Sequence, residues 1–245
     1  MKNLIIKSIL ATATLTLIVA APNANAQLAY SSGHGDLGVG YDAGAFEPHW
    51  HLHSGAVVNG VPLGADGEYA PSELVARGKA VRNSPGGLSS AINVADGSEI
   101  YVLGSASYQP NLGFGAEELD PGDWSGDITL TLSGWTLPSG AEFALYTTNL
   151  AVTHVADIVF STSDSGSTVF GNAFDMTPGD HTHFQWGFTE IGIYTFEITW
   201  TGTHNTDGFI STTESFNIQI VPEPSIAALL FAGAVGLFVT RRRCA

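Results

Sequence analysis

The chain has 245 residues, with 8 Lys+Arg against 23 Asp+Glu and a formal net charge of −15 at pH 7. Such acidity repels nucleic acid and anionic lipid and attracts cations. The one cysteine, Cys244, lies at the extreme C-terminal end. The body of the chain therefore has no disulfide and no thiolate ligand, and a metal site there must use imidazole and oxygen.

In chain order, Lys2 and Lys7 flank the start of an apolar run over 5–21, followed by the small-residue series Asn23-Ala24-Asn25-Ala26. This pattern predicts a secretory signal peptide over 1–26 and export of a chain beginning at Gln27. The body over 27–221 reads as one β domain. Short runs bounded by Gly, Pro, Asp and Asn predict strands at 37–41, 49–58, 99–103, 127–132, 142–147, 157–161, 191–200 and 214–221. In the fourth, Ile128, Leu130 and Leu132 alternate with Thr129 and Thr131, the period-two signature of a half-buried strand. The stretch 71–80 has room for one or two helical turns, and 110–126, with Gly113, Gly115, Pro121 and Gly122, reads as a surface loop. The expected fold is all-β: an antiparallel β-sandwich, jelly-roll or Ig-like. Trp186, Phe188, Tyr194 and Phe196 suit its core. Trp124 and Trp135 are read as exposed and are candidates for stacking on polysaccharide.

Two histidine clusters stand out, His49-Trp50-His51-Leu52-His53 and His181-Thr182-His183. In a strand, residues two apart share a face and stand roughly 6.5–7 Å apart. His49, His51 and His53 then line one surface while Trp50 and Leu52 enter the core. A full coordination sphere needs ligands from several segments. His34, in Gly33-His34-Gly35-Asp36, is a further candidate, with Asp36 and His53 as accessory or orienting groups. His154 is read as an ordinary surface histidine, while His204, in Gly202-Thr203-His204, is balanced between that reading and a role. Imidazole ligands favour zinc first and copper second. Calcium on the acidic surface is a lesser alternative, since no Asp-x-Asp-x-Asp ladder is present. The bland competitor is a pH-responsive histidine surface. Neither Gly-x-Ser-x-Gly nor a nucleophilic cysteine is found in the body, so the expected role is non-enzymatic.

Beyond Val221 comes Pro222-Glu223-Pro224, an apolar run over 226–240, and Arg241-Arg242-Arg243. The run is shorter than the roughly 20 residues of a comfortable membrane span, and the arginines favour a cytoplasmic end. This tail, 222–245, resembles the PEP-CTERM sorting signal of Gram-negative bacteria. The resemblance implies a short transmembrane helix before processing, an exosortase-type sorting enzyme as partner, and delivery to the cell surface or extracellular matrix.

The body resembles the choice-of-anchor M surface-protein domain. The HxHxxWxF signature is met by His181, His183, Trp186 and Phe188, and the following Gly-x-Tyr strand by Gly192 and Tyr194. Gly33, His34 and Asp36 match a Gly-His-x-Asp element, and Glu117-Glu118-Leu119 through Asp123-Trp124 matches the approach to the 127–132 strand. Related domains accompany transporters of the metal-uptake type, which implies metal handling; the PEP-CTERM tail departs from that setting. A structural or adhesive matrix protein is the first alternative. A metal-dependent cupin-like enzyme is the second, suggested by the His-x-His pair but lacking the Glu expected shortly after it.

Overall fold

A computed structural model describes residues 27–104, 108–149, 154–163 and 172–222. The expected signal peptide over 1–26, the apolar run over 226–240, and Glu223 and Pro224 of the expected sorting motif lie outside these residues; Pro222 is the last residue within them. Among the described residues no helix is long and apolar enough to cross a membrane.

The body is nearly all β. Its strands are β1 (Leu28–Asp42), β2 (Ala45–Leu52), β3 (Val57–Val58), β4 (Val61–Pro62), β5 (Gly67–Tyr69), β6 (Leu74–Gly78), β7 (Val81–Asn83), β8 (Glu99–Leu103) and β9 (Pro110–Gly115). Then come β10 (Ile128–Thr136), β11 (Phe143–Asn149), β12 (His154–Ser161), β13 (Ala173–Met176), β14 (His181–His183), β15 (Gln185–Phe188), β16 (Gly192–His204) and β17 (Gly208–Ile220). One helical turn, Ser89–Ile92, and one 3-10 turn, Pro121–Asp123, complete the set. The strands form two sheets, as a sandwich requires. The smaller runs β12-β11-β15-β8-β7, and the larger carries β13-β10-β16-β17-β6-β1-β2-β5 with β9 and β14 added beside β1.

Strand β1 gives the larger sheet two wings. Its first residues pair with β6 and β3, whereas Gly33 onward pairs with β2 on one side and β9 on the other. Gly33 sits at the change of partners with φ +96, and a Cβ there would lie 2.6 Å from Ala56 Cα. Only glycine satisfies both demands. The β1–β2 hairpin turns through Ala43 and Gly44, both with positive φ, as a two-residue primed turn requires.

The structure departs from the expectations in four places. The sheets are not purely antiparallel, because β1 runs parallel to β6 and β9, and β17 parallel to β6. The stretch 71–80 holds strand β6 rather than a helical turn, and 110–126 contains strand β9 beside β1. The core follows the alternation: Trp186, Phe188, Tyr194 and Phe196 are buried, together with Trp50, Phe114, Phe143, Trp200 and Phe216. Trp186 stacks on Phe114 at 5.4 Å and donates its Nε1–H to Leu112 O at 2.9 Å. Trp124 is not an exposed platform, since it is buried and stacked on Phe46 at 4.9 Å; Trp135 is exposed.

Candidate metal centre

The wing β5-β2-β1-β9-β14 separates two kinds of side chain. Leu37 and Val39 of β1, Trp50 and Leu52 of β2, and Leu112 and Phe114 of β9 point into the core. The alternate positions point the other way, and there the register sets the site. Asp36 lies opposite His51 on one side and Gly113 on the other, and Gly113 lies opposite His183. One residue-pair along, Gly38 faces His49 and Gly115, and Gly115 faces His181. Each row thus carries imidazoles at its flanks and at least one glycine between them. Strands stand about 4.8 Å apart, so the flanking rings fold inward over the bare backbone. A Cβ on Gly113 would be 2.5 Å from Thr182 O and 2.9 Å from His183 Cε1, and one on Gly38 would be 2.9 Å from His49 Nε2.

Asp36 is the hub. It is fully buried, and three imidazoles approach its carboxylate. His53 Nε2 and His34 Nε2 lie 3.2 and 3.3 Å from Oδ2, and His183 Nε2 lies 3.7 Å from Oδ1. His34 and His183 bring their Nε2 atoms to 2.8 Å from each other. The ring of His53 stacks on that of His34 at 4.0 Å, and the ring of His181 lies 5.4 Å from His34. Two ligands on one zinc ion, each about 2.0–2.1 Å away at the tetrahedral angle, sit roughly 3.3 Å apart. The observed spacings are those of neighbouring ligands around one ion. Asp36 Oδ1 and His183 Nδ1 are buried with no hydrogen-bond partner.

Glu117 and Glu118 close the far side. They follow β9 in a turn held by Leu119 N–H to Ala116 O at 3.1 Å and Gly179 N–H to Ala116 O at 2.8 Å. Glu117 Oε1 lies 2.8 Å from His181 Nδ1. Glu118 Oε1 lies 2.9 Å from both His49 Nε2 and His51 Nδ1.

The electrostatics express this crowding. Burial opposes ionisation of Asp36, but the hydrogen bonds and charges of the surrounding imidazoles outweigh it and hold the carboxyl below its usual range. The bond to Asp36 raises the pKa of His34. Burial lowers that of His183, reinforced by the neighbouring imidazoles. The shift favours neutral His183, the form that binds a metal.

All seven residues expected from the sequence, His34, Asp36, His49, His51, His53, His181 and His183, lie together on this face, within groups able to hold a metal ion or in direct contact with them. Their roles divide differently from the expectation. His34 groups with Asp36 and His53 and also with His181 and His183, while His51 groups with His49 and Glu118 and also with His53 and Glu117. Glu117 and Glu118 carried no ligand role in the sequence reading, which met them only within the choice-of-anchor M resemblance. His204 joins none of these groups among the described residues; its Nδ1 meets Asp207 at 2.9 Å and its ring packs on Tyr41 and Trp124.

No family model, curated protein or solved structure matches this chain. The site stands on its own geometry.

Proposed function

We propose that this is an exported, exosortase-sorted bacterial surface protein that binds a transition metal without catalysing a reaction. The observation that carries the reading is the convergence of His34, His53 and His183 on the buried carboxylate of Asp36, whose Oδ1 has no hydrogen-bond partner. The imidazoles partner Oδ2 but leave the buried Oδ1 without a partner, which is costly, and a cation among these nitrogens would supply one. The imidazole majority selects zinc first and copper second, since calcium takes six to eight oxygens. The ion would be held by His34, His53, His183 and Asp36, with His181 and Glu117 at its edge. Export and surface sorting rest on the segments 1–26 and 222–245, and the choice-of-anchor M assignment on the motifs given above.

A structural or adhesive matrix role is the second reading. The outer face of β10, β16 and β17 favours it, where Thr129, Thr131, Thr199, Thr201 and Thr213 stand in register. Elemental analysis separates the two. Protein stripped with chelator and re-equilibrated with zinc is expected to hold stoichiometric metal, and His34→Ala/His183→Ala to lose at least one equivalent. Equal metal content in both would sink the assignment. Retained matrix association after these substitutions, with only loose metal, would favour the second reading.

A further inference from the structure

The ligand face is longer than one ion needs. His49 and His53 lie four residues apart on one edge of the face, roughly 13 Å along the strand direction. The rings lean toward one another, with 6.1 Å between those of His49 and His51 and 4.8 Å between those of His51 and His53, so His51 stands between His49 and His53. The donors form overlapping groups: Asp36 with His34 and His53, His34 with His181 and His183, His51 with His53 and Glu117, and, as a second set at the far end, His49, His51 and Glu118, whose ligand atoms lie within 4.8 Å of one another.

The second set has its own reason to hold a cation. His49 Nδ1 lies 2.9 Å from Glu47 O. A carbonyl oxygen only accepts, so the proton of neutral His49 sits on Nδ1. The lone pair of Nε2 then points at Glu118 Oε1, 2.9 Å away. Two acceptors at that distance require a positive charge between them, either a proton or a metal ion. A ring N–H given to a backbone carbonyl is also the arrangement that orients metal-binding histidines. His51 Nδ1 meets the same oxygen at 2.9 Å from the neighbouring position.

The floor beneath is bare. A Cβ on Gly38 would be 2.9 Å from His49 Nε2, and one on Gly40 would be 3.0 Å from Glu118 Oε2. The donors are closely packed, since the recess bordered by Gly38, Val39, His51, Gly115, Glu117 and Glu118 has no room for a water molecule.

We infer that His49, His51 and Glu118 form a second transition-metal site, so that the chain carries two ions side by side on one strand face. This rests on the metal-binding reading proposed above. Three protein ligands leave a coordination position for water or an added ligand. His51 is the link between the sites, because its ring lies 4.8 Å from that of His53, which belongs to the Asp36 group.

The test is a count of metal per chain. Full-length protein, stripped with chelator and loaded with zinc or with cobalt as a spectroscopic probe, is weighed by native mass spectrometry and checked by elemental analysis. Two ions are expected in the wild type, one in His49→Ala and one in His34→Ala/His183→Ala. Glu118→Gln, nearly isosteric, is expected to weaken one of the two ions at least tenfold and leave the other unchanged. Circular dichroism of the metal-free forms confirms that each variant is folded, and Glu118→Gln decides the matter should His49→Ala not be. A wild type holding one ion, unaffected by Glu118→Gln, overturns the second site and leaves the proposed function intact. Two ions retained in both His49→Ala and Glu118→Gln place the second ion elsewhere and overturn the inference. No bound ion in the wild type overturns both readings.

Discussion

His183 Nε2 stands 2.8 Å from His34 Nε2, although 149 residues separate them in sequence. The contact is made by register: β14 pairs with β9, β9 pairs with β1, and Gly113 between them leaves room for the ring of His183. Each of these steps can be disturbed separately.

Asp36→Asn removes the buried charge at the hub while keeping its shape. Metal affinity is expected to fall about 10–100-fold, the usual effect of losing a carboxylate that orients or ligates. In the metal-free protein the pKa of His34 should fall, because its bond to the carboxylate is the main cause of its elevation. Histidine titration by NMR reads the second effect and metal competition the first. An unchanged His34 titration would contradict the arrangement.

The pH dependence of stability follows from opposing signs. The folded pKa of His34 is raised above 6.5, so its contribution is full below 6.5 and is lost as pH rises through the folded value. The folded pKa of Asp36 is lowered below 3.8, so its contribution is present above 3.8 and is lost as pH falls through the folded value. His183 is lowered from 6.5 and loses stability as pH falls. Metal binding requires neutral imidazoles and strengthens with pH. The gap in denaturation midpoint between zinc-loaded and chelator-treated protein should therefore widen from about pH 5.5 to about pH 7.5. A gap independent of pH would count against histidine ligation.

Gly113→Ala tests the space in the rows. The new Cβ would press on Asp36, on Thr182 O at 2.5 Å and on His183 Cε1 at 2.9 Å. Backbone on one side and a buried carboxylate on the other cannot both yield. A cost of about 1–3 kcal/mol is expected, together with loss of the ion at Asp36. Urea unfolding and metal content measure the two, and a variant with wild-type values in both would refute the packing described.

Trp186→Ala removes a fully enclosed ring that stacks on Phe114 and binds Leu112 O. The expected loss is about 3–5 kcal/mol. Because β15 continues from β14 in the opposite sheet, part of that loss should reach His181 and His183 as weaker metal binding. Wild-type metal affinity in a destabilised but folded variant would show that the site is independent of this part of the core.

Strands with clean alternation were legible in the sequence: 127–132 and 191–200 lie within or against β10 and β16. Strand β9 was hidden because Pro110, Gly113 and Gly115 look like turn residues. In the fold Gly113 is a glycine for a different reason, the close approach of Asp36, Thr182 O and the His183 ring from neighbouring strands, whereas a Cβ on Gly115 would make only ordinary contacts. Strand β6 was hidden by its neighbours Pro71 and Ser72, which mimic a helix start. The parallel pairings of β1 were hidden because they join distant segments and leave no local period.

The site divides in the same way. His49, His51, His53, His181 and His183 announced themselves by spacing within one strand. Glu117 and Glu118 did not, since their place beside the histidines comes entirely from the β1–β9 pairing. The centrality of Asp36 follows from its register with His51 and Gly113, which a single strand cannot reveal.

The ligand face lies on the outside of its wing, and its imidazoles keep an open rim: the side chains of His181, His34, His183 and His53 are 39%, 34%, 26% and 24% exposed. An ion held here leaves and returns without parting the sheets. Its residence time is then set by the breaking of metal–ligand bonds, not by the unfolding rate, while the acidic exterior keeps cations concentrated nearby. Such kinetics suit a reservoir that equilibrates with the surrounding medium rather than a permanent structural rivet.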